Sequence, residues 1–235
     1  SRKKNIAYIA EYNGSEIDII NDSGLTVPFE NTFKNYEMFN FMNADIISVV
    51  SKQVKDQLLD LNIPSNKIII NPNGADPKKL SKFTEENFKS IRETLNISKN
   101  EFVIGYVGTF STWHNIDFLM KLINFVCKKN CEIKFILIGL DYTNKNFLEL
   151  IEDNKEIKSQ IMIMGKLPPK VKDYFLQVSD ATIITNKNKI NNKEFFGSPI
   201  KLFEYMSLGK PIISTKVKNI EDYLKIYTDT IDQNL

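Results

Sequence analysis

Short apolar runs alternate with helical stretches along this 235-residue chain, and no other feature constrains its fold as strongly. Residues 45–50 form a β-branched run, Ser51 can cap a helix that ends near residue 61, and residues 67–70 form the next run. Further strands are predicted over residues 102–107, 132–138, 160–164, 181–185 and 212–215. Because strands joined through helices pair in parallel, the chain is expected to be an α/β protein built from parallel sheets.

The stretches between these strands are predicted to be helices. They cover residues 31–43, 84–95, 144–158 and 168–178, with a further helix from Asn115 onward. The first helix has an aromatic-rich face, which we expect to pack in the core because large apolar side chains are usually buried. The residues on that face are Phe33, Tyr36, Met38, Phe39 and Met42.

A turn near residue 76 divides the chain into two units. Residues 71–76 read Asn-Pro-Asn-Gly-Ala-Asp, in which proline fixes φ and Asn-Gly favours positive φ. A polar stretch follows, as expected at a domain boundary. The sequence predicts two Rossmann-like units, a partial N-terminal one over residues 1–76 and a fuller one over residues 77–235.

Composition excludes several classes of function. Lys and Arg number 31 against 29 Asp and Glu, and this balance does not indicate a nucleic-acid-binding protein. Cys127 and Cys131 have no metal-ligating neighbour and His114 is the single histidine, so no metal site is expected. Two reduced thiols, no apolar run of membrane-spanning length and no signal peptide predict a cytosolic protein.

The segment from Phe195 to Thr215 reads as a loop, a helix, a turn and a strand. Ser198 is a good N-cap, Pro199 suits the first helical position, and Gly209 suits the left-handed residue after the helix. The start of such a helix has free N–H groups and partial positive charge, so it favours anions.

Lys201 and Glu204 place opposite charges on one face of this helix. The lysine adds a full positive charge where an anion would bind, and the carboxylate can accept hydrogen bonds from a ribose. We therefore hypothesise a nucleotide diphosphate site, with Lys201 on the phosphates and Glu204 on the sugar. The same spacing also fits an ordinary capped helix with a surface Lys–Glu pair.

A second candidate loop follows the strand at residues 102–107. Gly108 and Thr109 lead through Phe110 to a helix that starts after His114. A strand that ends in glycine and hydroxyl residues before a helix is a phosphate-loop arrangement, although the full G-x-G-x-x-G pattern is absent. His114 fits two interpretations, a hydrogen bond to substrate or leaving phosphate and a surface residue at a helix start.

Residues 198–215, SPIKLFEYMSLGKPIIST, resemble the signature of the GT-B glycosyltransferases of the group-1, family-four kind. Two other stretches agree in the expected order: residues 71–76 resemble the hinge between the domains, and the loop from Gly108 resembles the one that faces the donor diphosphate. Residues 165–167 resemble the loop whose backbone contacts the nucleobase, and they also fit a plain strand–helix loop.

The resemblance implies a donor site in the second unit, with Lys201 and Glu204 in the catalytic roles. The 198–200 amides and Lys201 would hold the diphosphate, and Glu204 the ribose. The implied donor-binding residues are Gly108, Thr109, Phe110, His114, Gly165, Lys166, Leu167, Ser198, Pro199, Ile200, Lys201, Leu202 and Glu204. Members often have an earlier glutamate at the position of Phe196, and Glu194 is the candidate to replace it.

The implied activity is hexosyltransferase-like: transfer of a sugar from a UDP- or GDP-linked donor to a glycan or lipid-linked acceptor, with retention at the anomeric carbon. No bound metal or other cofactor is expected, since the nucleotide-sugar is a substrate. The family's enzymes extend further at both ends, so this chain is expected to bind donor without turning it over alone. A lipid-linked acceptor leaves open peripheral contact with the inner face of a membrane.

Three alternatives remain open. The chain fits a non-catalytic, donor-binding partner subunit of a complete glycosyltransferase. It also fits a GT-B sugar-nucleotide epimerase, which shares the fold and the donor class. A ligand-free α/β module is the third alternative. The spacing of Lys201 and Glu204 argues against it, because such a module needs neither group at a helix start.

Overall fold

The computed structural model describes residues 6–22, 24–77, 83–109, 112–140, 149, 151–152, 155–190 and 193–224. Its two larger sheets are parallel throughout, and this confirms the predicted α/β class. The helix predicted over residues 144–158 falls largely outside the described residues, which include a 3-10 helix at Lys155–Gln160.

The first sheet has three parallel strands in chain order. They are β1 (Ile9–Tyr12), β2 (Ile46–Val49) and β3 (Ile68–Ile70). Its helices are α1 (Glu16–Asp22), α2 (Glu30–Asn43) and α3 (Lys52–Asp60). Ser51 caps α3 as predicted, since its hydroxyl accepts a hydrogen bond from the Val54 amide at 3.2 Å.

The aromatic face of α2 is exposed, so the expectation that it packs in the core is wrong. The exposed side chains are Phe33, Tyr36, Phe39 and Met42. Phe41 is instead the buried residue of this helix, and its ring meets that of Tyr12 at a centroid distance of 4.8 Å. Apolar residues occur on several sides of α2, so their spacing does not single out the one that packs against β1.

The second sheet has the strand order of a doubly wound α/β unit. Across the sheet the order is β10 (Ile212–Ser214), β7 (Ala181–Ile184), β4 (Phe102–Val107), β5 (Ile133–Ile138) and β6 (Ile161–Gly165). The chain moves outward from β4 to β6 and then returns with β7 on the other side of β4. Ligands of such sheets bind outside the carboxyl ends of the strands at this switch point.

Four described helices accompany the second sheet and bury its core. They are α4 (Glu85–Thr94), α5 (Ile116–Lys129), α6 (Pro169–Gln177) and α7 (Ile200–Ser207). Helix α7 begins one residue after its predicted first position, and α6 has Pro169 at its start as predicted. The core includes Leu119, Ile123, Phe135 and Leu137, all fully buried.

Strands β4 and β7 separate before their carboxyl ends. Their ladder covers two residue pairs, at Ile104 and Gly105 of β4. Beyond it, the Val107 amide donates a hydrogen bond of 2.8 Å to the hydroxyl of Tyr205, a fully buried residue of α7. The hydroxyl therefore satisfies an N–H near the end of β4, and α7 reaches the switch point.

By their contacts, the described residues fall into two compact units. The first unit is drawn from residues 1–73, 188–199 and 216–235, and the second from residues 74–187 and 200–215. The first also contains the antiparallel pair β8 (Lys189–Ile190) and β9 (Lys193–Glu194). The domain division at residue 76 stays a prediction, because compactness alone does not define a domain. None of the helices in the described ranges has the length and apolar character needed to cross a membrane.

Candidate functional site

Three glycines form a row at the carboxyl edge of the second sheet, where β4, β5 and β6 end. They are Gly108, Gly139 and Gly165. The Gly139 amide donates to the Gly165 carbonyl at 2.6 Å. A Cβ on Gly139 would lie 2.8 Å from the Gly108 carbonyl oxygen, and the φ of Gly139 is +88°, so only glycine fits without strain. This row leaves main chain free of side chains at the edge where α/β sheets bind ligands.

Lys201 extends from α7 to the end of β4. The residue is 9% exposed, and its amine lies 5.0 Å from the centroid of the Tyr106 ring. The same amine would be 2.9 Å from a Cβ on Gly108. In the described part of the chain, neither this amine nor the Tyr106 hydroxyl has a hydrogen-bond partner. A buried amine without a partner is costly, and beside bare main chain it is suited to an anion.

Burial lowers the pKa of the Lys201 amine to about 7, and the nearby charge of Glu204 opposes this shift. The sequence predicts a full positive charge here, and burial of the amine opposes that charge. A bound anion would favour the protonated form. An anion that binds at this amine would therefore take up a proton with it.

His114 is tied to the loop that follows β4. Its Nδ1 lies 2.7 Å from the Thr109 carbonyl oxygen, which can only accept, so Nδ1 carries the hydrogen. Burial and then the charge of Lys201 lower the pKa of His114 to about 4, and the hydrogen bond to Thr109 opposes them. The imidazole is therefore neutral at pH 7 and offers Nε2 as an acceptor. Contact between His114 and a substrate stays a prediction.

Glu204 faces a pocket of about 500 Å³, here called the Glu204 pocket. Its Oε1 lies 2.5 Å from the Lys172 amine on α6, which is also 3.6 Å from Asp173 Oδ1. Burial raises the pKa of the Asp173 carboxyl, and Lys172 opposes the shift. The pocket is further lined by Pro169, Lys170, Ile200, Ser207, Leu208 and residues 74–76. Lys201 and Glu204 thus lie within electrostatic range but have different surroundings.

The other predicted donor residues of the second unit have varied positions. Lys166 is exposed and Leu167 is half-buried, directly after β6. Leu202 is fully buried. Phe110 lies outside the described residues. Roles for these residues in donor binding stay predictions.

Ser198 and Pro199 precede α7 and belong to the first unit. The Ser198 hydroxyl is buried and accepts a hydrogen bond from the Asn73 amide at 3.1 Å. The Asn73 side-chain amide also donates to the Ser198 carbonyl at 2.7 Å. These bonds hold the segment before α7 within the first unit, and the predicted contact of its amides with a diphosphate stays untested.

Phe196, which the resemblance places at the position of the first family glutamate, is buried in the first unit. A Cβ on Gly14 would overlap its ring, and its carbonyl accepts a hydrogen bond from the Ser51 hydroxyl at 2.5 Å. Glu194 is half exposed and lies 3.7 Å from the Lys189 amine. Glu194 as a replacement for the missing carboxylate stays a prediction.

Metal-ligating side chains do not cluster in the described ranges: no group of three or more His, Cys, Asp or Glu could hold an ion there. Cys127 is buried and Cys131 is exposed, and both are free thiols. Burial raises the pKa of the Cys127 thiol to about 11, which keeps it protonated and unreactive.

Three residues of this site were missed by reasoning from sequence. Gly139 carried a signal, because it directly follows a predicted strand as Gly108 does. Tyr106 resembles any aromatic residue in a buried strand, and its place beside Lys201 depends on how α7 packs on β4. Lys172 had no signal, because it is 32 residues from Glu204 in sequence.

Comparison with known proteins identifies a family and several relatives. The family described as "Glycosyl transferases group 1" matches residues 87–229. The chain is similar to TuaH of Bacillus subtilis (strain 168), a protein named as a teichuronic acid biosynthesis glycosyltransferase, with 24% identity over 83% of this chain and 46% of TuaH. It is also similar to the poly(ribitol-phosphate) α-N-acetylglucosaminyltransferase of Staphylococcus aureus (strain COL), with 23% identity over 79% of this chain and 33% of that protein.

Solved structures with the same fold include HepE of Anabaena in complex with UDP and glucose, with a TM-score of 0.65, 15% identity, and coverage of 92% of this chain and 54% of HepE. The lipopolysaccharide biosynthesis glycosyltransferase WaaG gives a TM-score of 0.63 at 13% identity, over 92% of this chain and 58% of WaaG. At these identities the likeness shows the fold alone, and it confirms the predicted GT-B class. The chain spans less than half the length of both curated relatives.

Proposed function

Because the chain belongs to the group 1 glycosyl transferases, we propose that it binds the nucleotide-sugar donor of an enzyme that transfers a sugar to a glycan or a lipid-linked acceptor. The donor carries a UDP or GDP group. The single observation that carries this proposal is the Lys201 amine, which is buried beside Gly108 at the switch point of the second sheet and has no hydrogen-bond partner among the described residues.

In this proposal Lys201 neutralises the leaving diphosphate, with support from the amides at residues 198–200 and the glycine row. Preorganised positive groups of this kind stabilise charge that develops in the transition state. Glu204 accepts hydrogen bonds from the ribose. The anomeric configuration is retained, and neither a metal nor another cofactor takes part. A lipid-linked acceptor would bring the protein to the inner face of a membrane.

Calorimetric titration of the chain with UDP, GDP and ADP tests donor binding. We expect a dissociation constant on the order of micromolar for at least one of UDP and GDP. Lys201→Met and Glu204→Gln should each weaken it at least tenfold, because each removes a charge-assisted hydrogen bond to ligand. Lys158→Met is the matched control, since Lys158 pairs with Glu152 at an exposed site. Binding that survives both substitutions would eliminate the site.

A non-catalytic partner subunit is the second candidate, and Phe196 favours it. If the resemblance aligns Phe196 with the first family glutamate, that carboxylate gives way to a buried aromatic side chain that packs on Gly14. Turnover of radiolabelled donor in EDTA, with and without a complete family member, separates the two functions. NMR of the product would give the anomeric configuration, and conversion of donor to its epimer would identify a sugar-nucleotide epimerase instead.

A further inference from the structure

Glu204 is the ion-pair partner that the spacing predicts for Lys201, because it lies three residues away on the same helix. Lysine and glutamate at this spacing are surface neighbours and attract each other. Nevertheless the Lys201 amine has no hydrogen-bond partner within the described residues, although Glu204 acts on it electrostatically. Something must therefore draw the carboxylate away from that amine.

Lys172 is the group that competes for Glu204. Its amine lies 2.5 Å from Glu204 Oε1, and the side chains of Lys172 and Glu204 are 15% and 28% exposed. Lys172 donates a hydrogen bond to Oε1 of the Glu204 carboxylate. Among the described residues this bond leaves Oε2 available. Ion pairs that are largely removed from water are stronger and better defined than those at the surface.

Asp173 anchors the lysine on its own helix. Its carboxylate lies 3.6 Å from the Lys172 amine, so that amine sits between two acidic groups on α6 and α7. A lysine stem has four rotatable bonds, and two partners restrict it more than one does. The ion pair thereby fixes Glu204 within the Glu204 pocket.

We propose that Lys172 is a positioning residue that holds the Glu204 carboxylate in its pocket and so keeps it from pairing with the Lys201 amine. Without Lys172, Glu204 turns toward Lys201 and the two neutralise each other. The consequence for ligand binding rests on the proposed function, since an unpaired Lys201 is what receives the diphosphate. The placement of the carboxylate does not depend on any ligand.

The first test therefore needs no ligand. NMR of ¹³Cε-labelled lysines, with Lys201 assigned through Lys201→Met, follows the titration of this amine in the full chain. The groups around it are Tyr106 on β4, His114 and Glu204. Lys172→Met should raise the pH at which Lys201 titrates, because Glu204 then pairs with it. Adding Glu204→Gln should reverse that rise, and Lys172→Arg should leave the titration unchanged.

The second test measures binding of inorganic pyrophosphate, which has no ribose. Lys172→Met should weaken it about tenfold, since Lys201 loses one charge-assisted contact to the anion. The Lys172→Met/Glu204→Gln double variant should bind as the unaltered chain does, a recovery that a merely structural role for Lys172 would not give. Lys158→Met is again the control.

Failure of the proposed function and failure of the positioning role give different results. If the unaltered chain binds neither pyrophosphate nor nucleotide, the proposed function is contradicted, while the titration still decides the role of Lys172. A Lys201 titration that is the same with and without Lys172 overturns the positioning role, even if nucleotide binds. The positioning role is also overturned if the double variant fails to recover pyrophosphate binding that Lys172→Met has lost.

Discussion

The Lys201 amine lies in buried surroundings that disfavour its protonated, charged form. It is buried beside the Tyr106 ring and the main chain of Gly108, and no described group donates or accepts a hydrogen bond there. Because the pKa of this amine falls to about 7 from an ordinary value of 10.5, the unfolded chain holds more protons between these limits. The contribution of Lys201 to the free energy of unfolding therefore increases as the pH rises from about 7 toward 10.5.

Anion binding should show the opposite dependence on pH. A bound diphosphate requires the protonated amine, so above pH 7 its affinity should fall by up to about tenfold per pH unit. Calorimetry with UDP between about pH 7.5 and 9.5 avoids the second phosphate ionisation near 6. Lys201→Arg should flatten the profile, because a guanidinium stays charged throughout. An equal slope in both proteins would assign the dependence to another group.

The strands and helices around Lys201 meet at the carboxyl edge of the second sheet. Strands β4, β5 and β6 end at the glycine row, and β4 leaves β7 early enough for Tyr205 to accept from the Val107 amide. Helices α6 and α7 are bridged by Lys172 and Glu204. These parts of the candidate site are therefore built from strand termini and helix faces of the second unit.

Gly139→Ala should destabilise the chain more than Gly24→Ala. Both glycines have positive φ, +88° and +81°, so both substitutions incur the left-handed strain of about 1–2 kcal/mol. Only at Gly139 would the new Cβ also lie 2.8 Å from a carbonyl oxygen, whereas nothing lies within 4 Å at Gly24. We expect an additional loss of about 1–3 kcal/mol for Gly139→Ala in urea denaturation. Equal losses would mean that the main chain moves to accept the methyl group.

At the scale of the whole molecule, two compact units share one chain, and the second contains the complete five-stranded sheet. The chain passes into the second unit, returns to the first at residues 188–199, and crosses twice more. A ligand of the second unit stabilises only the transition in which that unit unfolds.

Nucleotide should therefore raise the melting temperature of that transition. At one hundred times its dissociation constant, a ligand adds about 2.7 kcal/mol, which corresponds to roughly 5–10 °C for a chain of this size. Differential scanning calorimetry with UDP, GDP and ADP measures the shift. The Lys201→Met variant should show a much smaller one, and an equal shift in that variant would place the nucleotide elsewhere.

The strands and the helix caps could be predicted from local sequence. Ser51 caps α3 because its hydroxyl reaches an amide three residues away, and such contacts are encoded within one turn. The buried face of α2 was not predictable, since apolar residues lie on several of its sides. The ion pair of Lys172 with Glu204 joins residues 32 apart, and the burial of the Lys201 amine depends on the packing of α7 on the end of β4. Neither is visible in residue spacing.

The glycine row limits how proteins built on this plan can diverge. Any side chain at Gly139 would run into the adjoining peptide of Gly108, so point mutation has almost no room to reshape that floor. Under the proposed function, new preferences for a different sugar or base would then have to arise at other positions of α6 and α7, such as Lys170 and Ser207, which line the Glu204 pocket. A survey of substitution tolerance should accordingly accept few changes at Gly139 and more at Lys170 and Ser207.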